Sequence, residues 1–109
     1  MGLHQAFTAA LRAAREACGW SQADLAGRAG ISVEAYGRLE RGRVLPRAST
    51  LVRLARALNV RVDDLLGLAE SPPDTRTSAL MGRLRSAPPR DLLFLMAVLA
   101  ELERWRESQ

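Results

Sequence analysis

The sequence predicts an all-α fold, and three observations carry that expectation. Leu and Ala supply most of the apolar residues while aromatics make up only 5%, and both are strong helix formers. Apolar residues recur three and four positions apart, and no long stretch shows the two-residue alternation of a half-buried strand. Gly, Asn and Pro fall between the periodic stretches, where helices stop. At 109 residues, with 48% hydrophobic content, the chain is sized for one small domain or a domain with an appendage.

The spacing places a first helix over residues 6–18, with Phe7, Ala10, Leu11 and Ala14 on one face and Gly19 ending it. Trp20 is expected to enter the core just before Ser21. The stretch Gln22 to Gly42 is the centre of the chain. Ser21 followed three residues later by Asp24 is a capping-box pattern, so a second helix runs from Gln22 to Ala29 and buries Leu25 and Ala26. Gly30 stands where a helix end calls for a left-handed residue. Ser32 can cap a third helix over 33–41, which buries Tyr36 and Leu39 and is closed by Gly42. Two short capped helices joined by a turn of three or four residues describe a helix-turn-helix. A basic loop follows with Arg41, Arg43 and Arg47, and Pro46 prepares the next helix start. The fourth helix spans 48–58, with Leu51, Leu54, Ala55 and Leu58 at helical spacing and Asn59 at its end. Asp63 and Asp64 suit the positive end of a short fifth helix over 63–66.

Residues 69–74 contain Ser71-Pro72-Pro73 and read as a linker, because paired prolines stop helices and favour extended chain. Two further helical patterns lie beyond it, 75–85 and 91–106, broken by Pro88 and Pro89. The last carries Leu92, Leu95, Met96, Leu99 and Leu102 on one stripe, with Leu93, Phe94, Ala97 and Val98 widening it past half the circumference. A two-helix hairpin cannot bury so much apolar surface alone, which implies a partner surface. Self-association into a symmetric dimer is the economical expectation. The competing expectation is that the hairpin folds back on the first domain as ordinary core.

The formal net charge is +4, and all sixteen basic residues are Arg. A mildly positive chain favours a polyanionic partner, and guanidinium groups suit bidentate contacts to guanine or phosphate. Cys18 is the only cysteine, so no disulfide can form within the chain, and a free thiol fits a reducing, cytoplasmic setting. A redox role for Cys18 has nothing else in the sequence to support it. The N-terminus lacks a signal-peptide pattern, and the longest apolar run, Leu92 to Ala100, is too short to span a bilayer. His4 is the sole histidine, and no metal-ligand cluster, nucleophile–base pair or phosphate-cradling glycine loop is visible. No catalysis, metal or cofactor is expected.

The runs from Ser21 to Gly42, then Leu45-Pro46, then Thr50 to Gly67 resemble the Cro/C1-type (XRE family) helix-turn-helix regulators, and the resemblance covers about residues 5–68. It implies a five-helix, lambda-repressor-like DNA-binding domain over 1–68, a linker at 69–74 and a hairpin over 75–109 for dimerisation or partner binding. The two-part plan, ending in Arg104-Trp105-Arg106-Glu107-Ser108-Gln109, is similar to small biofilm-type repressors of spore-forming bacteria. In those proteins the hairpin dimerises and can be captured by a protein antagonist.

The outer face of the third helix, opposite Tyr36 and Leu39, holds Val33, Glu34, Gly37, Arg38 and Arg41. By the resemblance, Val33, Glu34, Gly37 and Arg38 occupy base-reading positions. Arg38 suits guanine O6 and N7, Glu34 cytosine N4, and Val33 a thymine methyl. The plainer alternative makes Glu34 and Arg38 a solvent ion pair at i and i+4. Gly37 departs from the polar residue the family often places there: either the backbone approaches the groove closely, or the site is poorly optimised. Gln22 matches the family's phosphate-holding glutamine at a helix N-terminus, and Arg41, Arg43 and Arg47 are further phosphate candidates. Arg15 and Glu40 match a pair that ties the first helix to the third. Leu92, Leu95, Met96, Leu99, Leu102 and Trp105 are the expected dimer interface. The function implied is a homodimeric, sequence-specific transcription regulator acting as a repressor on a palindromic double-stranded operator. A protein-interaction regulator with weak DNA binding and an antitoxin or controller protein are the alternatives.

Overall fold

A computed structural model of the chain describes residues 3–42, 44–66, 93–98, 100, 101 and 104. They form helices and turns with no strand among the described residues. The first five helices are α1 (Leu3–Ala17), α2 (Gln22–Ala29), α3 (Val33–Glu40), α4 (Ala48–Leu58) and α5 (Val62–Leu65). Helix α1 begins three residues before the spacing predicts, and Leu3 packs against the core edge. Helix α5 begins one residue early, at Val62, and the Asp64 carboxylate accepts a hydrogen bond from the Arg61 N–H at 3.0 Å.

The helix ends follow from local chemistry. The Ser21 hydroxyl accepts from the Asp24 N–H at 3.0 Å while the Asp24 carboxylate accepts from the Ser21 N–H at 2.9 Å. These two bonds satisfy two otherwise orphaned donors of the α2 N-terminus. The Ser32 hydroxyl accepts from the Ala35 N–H at 3.1 Å and starts α3. Between them Gly30 adopts φ 71° and ψ 34°. This left-handed residue lets the Ile31 N–H reach back to the Ala26 carbonyl at 3.0 Å, a Schellman closure that turns the chain sharply into α3. Asn59 plays the same part after α4, with φ 56°.

Apolar faces of all five helices converge on one core that includes Phe7, Leu11, Leu25, Tyr36, Leu51, Leu54 and Leu65. Helix α2 packs on α3 and α4, α1 on α3 and α5, and α4 on α5. This leaves one face of α3 free of the core. The core is not confined to these helices. Helical residues 93–98 lie on it, with Val98 inside the cluster and Phe94 packed against it. Leu95, expected in a dimer interface, is only 1% exposed and is covered by the chain itself. The physical reason is the width of the apolar stripe: one side is satisfied by the first five helices, and the other side remains outside. That outer side presents Leu93 at 71% and Met96 at 55% exposure. Leu92, Leu99, Leu102 and Trp105, with the linker and the helix expected at 75–85, lie outside the described residues.

Candidate nucleic-acid interface

Helix α3 sorts its side chains by direction. Tyr36 and Leu39 enter the core, Glu40 turns toward α1, and Val33, Glu34 and Arg38 face outward. Val33 is 47% exposed at the start of the helix. Among the described residues no ion pair joins Glu34 to Arg38, so both heads are available to an incoming partner. Gly37 does not present bare backbone. It is buried, and a Cβ placed on it would stand 3.1 Å from Arg41 Nη1. In this structure the tip of the exposed Arg41 side chain lies over Gly37, between its backbone and solvent.

Behind this face sits a buried polar network. The Glu40 side chain is 1% exposed, and its Oε2 lies 2.6 Å from Arg15 Nε. Arg15 Nη2 donates to Glu40 Oε1 at 3.1 Å, completing a bidentate pair between α1 and α3, the geometry in which Arg–carboxylate bonds are strongest. Arg15 also donates through Nη1 to the Trp20 carbonyl at 2.8 Å, which pins the α1–α2 turn. Arg12 adds a contact at 3.4 Å, but its side chain is 53% exposed, so it contributes little. The Gln22 amide nitrogen, from the first residue of α2, donates to Glu40 Oε1 at 3.2 Å. One carboxylate thus gathers donors from α1 and α2 onto α3.

Electrostatics follow from that geometry. Burial alone would raise the Glu40 pKa, but hydrogen bonds from Arg15, Tyr36 and Gln22 outweigh it and hold the group at about 2. The Arg15 guanidinium is pushed up, chiefly by its hydrogen bond to Glu40. Tyr36 is pushed up by burial first and by Glu40 second. Its hydroxyl is buried beside the pair and meets no partner at full hydrogen-bond geometry among the described residues. Asp24 is lowered by its hydrogen bonds from Ser21.

The structure brings Val33, Glu34 and Arg38 to one exposed face, Gln22 to its edge, and Arg15 to Glu40 behind it. Arg47 is exposed at the N-cap of α4, and Arg43 lies outside the described residues. Two features escape sequence reasoning. The link from Gln22 to Glu40 joins residues eighteen apart on different helices, and the cover of Arg41 over Gly37 needs the side-chain path. A glycine four residues before an arginine is the one sequence signal for the second. Among the described residues no group of His, Cys, Asp and Glu is arranged to hold a metal ion, and no helix is long and apolar enough to cross a membrane.

The helix-turn-helix family pattern matches residues 11–65, which contain α2, the Gly30 turn and α3. The cryptic phage CTXphi transcriptional repressor RstR of Vibrio cholerae serotype O1 is 40% identical over 53 residues. That match spans 49% of this chain and 47% of the repressor, so less than half of that protein is represented. No solved structure matches the chain. The match over half the chain and the two capped helices it contains establish that the chain belongs to the helix-turn-helix family of DNA-binding transcription regulators, of the Cro/C1 (XRE) type.

Proposed function

We propose that the protein is a homodimeric transcriptional repressor that places α3 in the major groove of a two-fold symmetric operator. The observation that carries this reading is the exposed face of α3, where Arg38, Glu34 and Val33 stand together with no ion pair between them. Each has a complementary feature in the groove: guanine O6 and N7 for Arg38, cytosine N4 for Glu34, and a thymine methyl for Val33. Gln22, at the N-terminus of α2, approaches the backbone phosphates with its second amide hydrogen and the free N–H groups of the helix end. Arg47, at the N-cap of α4, and Arg43, earlier in the same basic loop of the sequence, neutralise phosphates. The Arg15–Glu40 pair ties α1 to α3 and the Gln22–Glu40 bond ties α2 to α3, so base and phosphate contacts form in one register. Repression follows where the bound dimer overlaps a polymerase site, and the similar phage repressor supports that sign.

Selection of bound sites from a random duplex pool tests the reading. The expected product is a pair of inverted half-sites about 10 bp apart, each holding a short G/C-containing core. Recovery of unselected sequence, or of no duplex at all, overturns it.

A further inference from the structure

Position 37 leaves the outer face of α3 without a side chain of its own, one turn after Val33 and Glu34. Arg41 fills the place. A Cβ built on Gly37 would lie 3.1 Å from Arg41 Nη1 and 3.8 Å from Arg41 Cζ. The path follows from helix geometry. Arg41 is the C-cap residue but keeps a right-handed backbone, φ −77° and ψ −7°. Helical side chains lean back over the turn that precedes them. A long side chain at 41 therefore runs over residue 37, four positions earlier, where glycine gives it room and a Cβ would push its tip aside by a few tenths of an ångström. The same point is 3.8 Å from Gln22 Oε1, whose amide nitrogen is held by Glu40 at 3.2 Å. The guanidinium thus lies over Gly37 and close to Gln22, on the same helix that exposes Glu34 and Arg38.

We propose that Arg41, laid over Gly37, is a specificity-determining side chain that presents its guanidinium to a base edge in place of the side chain position 37 lacks. The inference rests on α3 being the recognition helix. It removes Arg41 from the phosphate contacts and gives the helix a second arginine reader. The planar fork matches guanine O6 and N7, and its seating on a glycine limits the conformations it must give up on binding.

The test uses the full chain and a panel of single-base-pair variants of the duplex that the wild type selects. Arg41→Ala is expected to lose roughly 5- to 150-fold in affinity for the selected site while losing far less on duplexes changed at one base pair per half-site. Its salt dependence should match the wild type. Arg41→Lys keeps the charge without the fork and should lose discrimination at that same base pair. Gly37→Ala, whose Cβ crowds the guanidinium by a few tenths of an ångström, should weaken discrimination at that same base pair, by less than Arg41→Ala and without lowering the melting temperature. The Gly37→Ala/Arg41→Ala double variant should be no worse than Arg41→Ala alone. Uniform weakening on every sequence by Arg41→Ala, with a shallower salt slope and near-normal Arg41→Lys, overturns the assignment in favour of a phosphate contact. So does loss at different base pairs for the two single variants. A wild type with no sequence preference overturns the DNA reading and this proposal together, whereas a selective wild type with uniform Arg41→Ala loss overturns this proposal alone.

Discussion

Glu40 is buried behind the exposed face of α3 and ties that helix to α1 and α2. Its carboxylate is 1% exposed and bonded by Arg15 and Gln22. Removing one partner of a buried pair strands the other, at about 3–5 kcal/mol. Glu40→Ala should therefore lower the melting temperature and the operator affinity together. An unchanged melting temperature would remove the pair from the account. The same group sets an acid dependence. Its folded pKa is about 2, against 4.5 for a free carboxylate, so the folded state binds fewer protons than the unfolded state between those values. The resulting stability, on the order of 3 kcal/mol, is fully present above about pH 5. It is lost as pH falls through the folded value. Denaturant melts of wild type and Glu40→Gln between pH 6 and pH 2.5 should converge toward the acid end, and parallel curves would contradict the shift. On the exposed face, Arg38→Ala should cost about 1–3 kcal/mol on the selected site and relax one base pair, while Arg47→Ala should weaken all duplexes alike and reduce the salt slope by about one contact. Identical behaviour of the two on specific and random duplexes would refute the division into reader and clamp.

At the scale of elements, helix ends decide the geometry. Gly30 and Gly27 allow a comparison within one helix. Gly30 holds φ 71°, where an L-residue is strained, although its added Cβ would meet Arg53 only at an ordinary 3.4 Å. Gly27 lies inside α2 with nothing near its added Cβ. Gly30→Ala should therefore destabilise by about 1 kcal/mol, and Gly27→Ala should stabilise by roughly 0.5–1 kcal/mol by narrowing the unfolded ensemble. Thermal melts that shift both variants in the same direction would contradict this division. The contrast shows what is legible in the sequence. Capping depends on residues one to three positions apart, so Ser21 with Asp24, Ser32, Gly30 and Asn59 mark the ends of α2, α3 and α4 within a few residues of chain. Periodicity likewise exposes Leu25, Tyr36, Leu39 and the α4 stripe as core. What cannot be read depends on distance in sequence or on side-chain path. The Gln22–Glu40 bond crosses two helices, and Arg41 covers Gly37 through one rotamer. The seating of Val98 in the core is the same kind of case, because an apolar stripe does not name its partner.

At the scale of the molecule, residues 93–98 divide into two faces, and each has its own consequence. Leu95 and Val98 are buried by the chain, each at 1% exposure, while Leu93 and Met96 point away at 71% and 55%. The first pair belongs to folding. Val98→Ala should lower stability by about 1–3 kcal/mol, and removal of everything after Glu70 would strip part of the core, so truncation is a poor probe of self-association. The second pair is exposed, and the proposed dimer would use it to meet a second copy. On the proposed reading a handful of side chains from α3 would discriminate few base pairs, so one domain alone would hold its site weakly. Tethering two domains turns the second half-site contact into an intramolecular event and multiplies affinity without new base contacts. A Leu93→Glu/Met96→Glu variant changes only exposed positions, so its melting temperature in dilute solution should fall no more than the loss of subunit association requires. Light scattering should report half the wild-type mass, and affinity for a full operator should fall toward that for an isolated half-site. If the charged variant keeps the wild-type mass and full-operator affinity, the outward face of 93–98 does not pair the protomers. Pairing would then fall to the other residues of the C-terminal stripe.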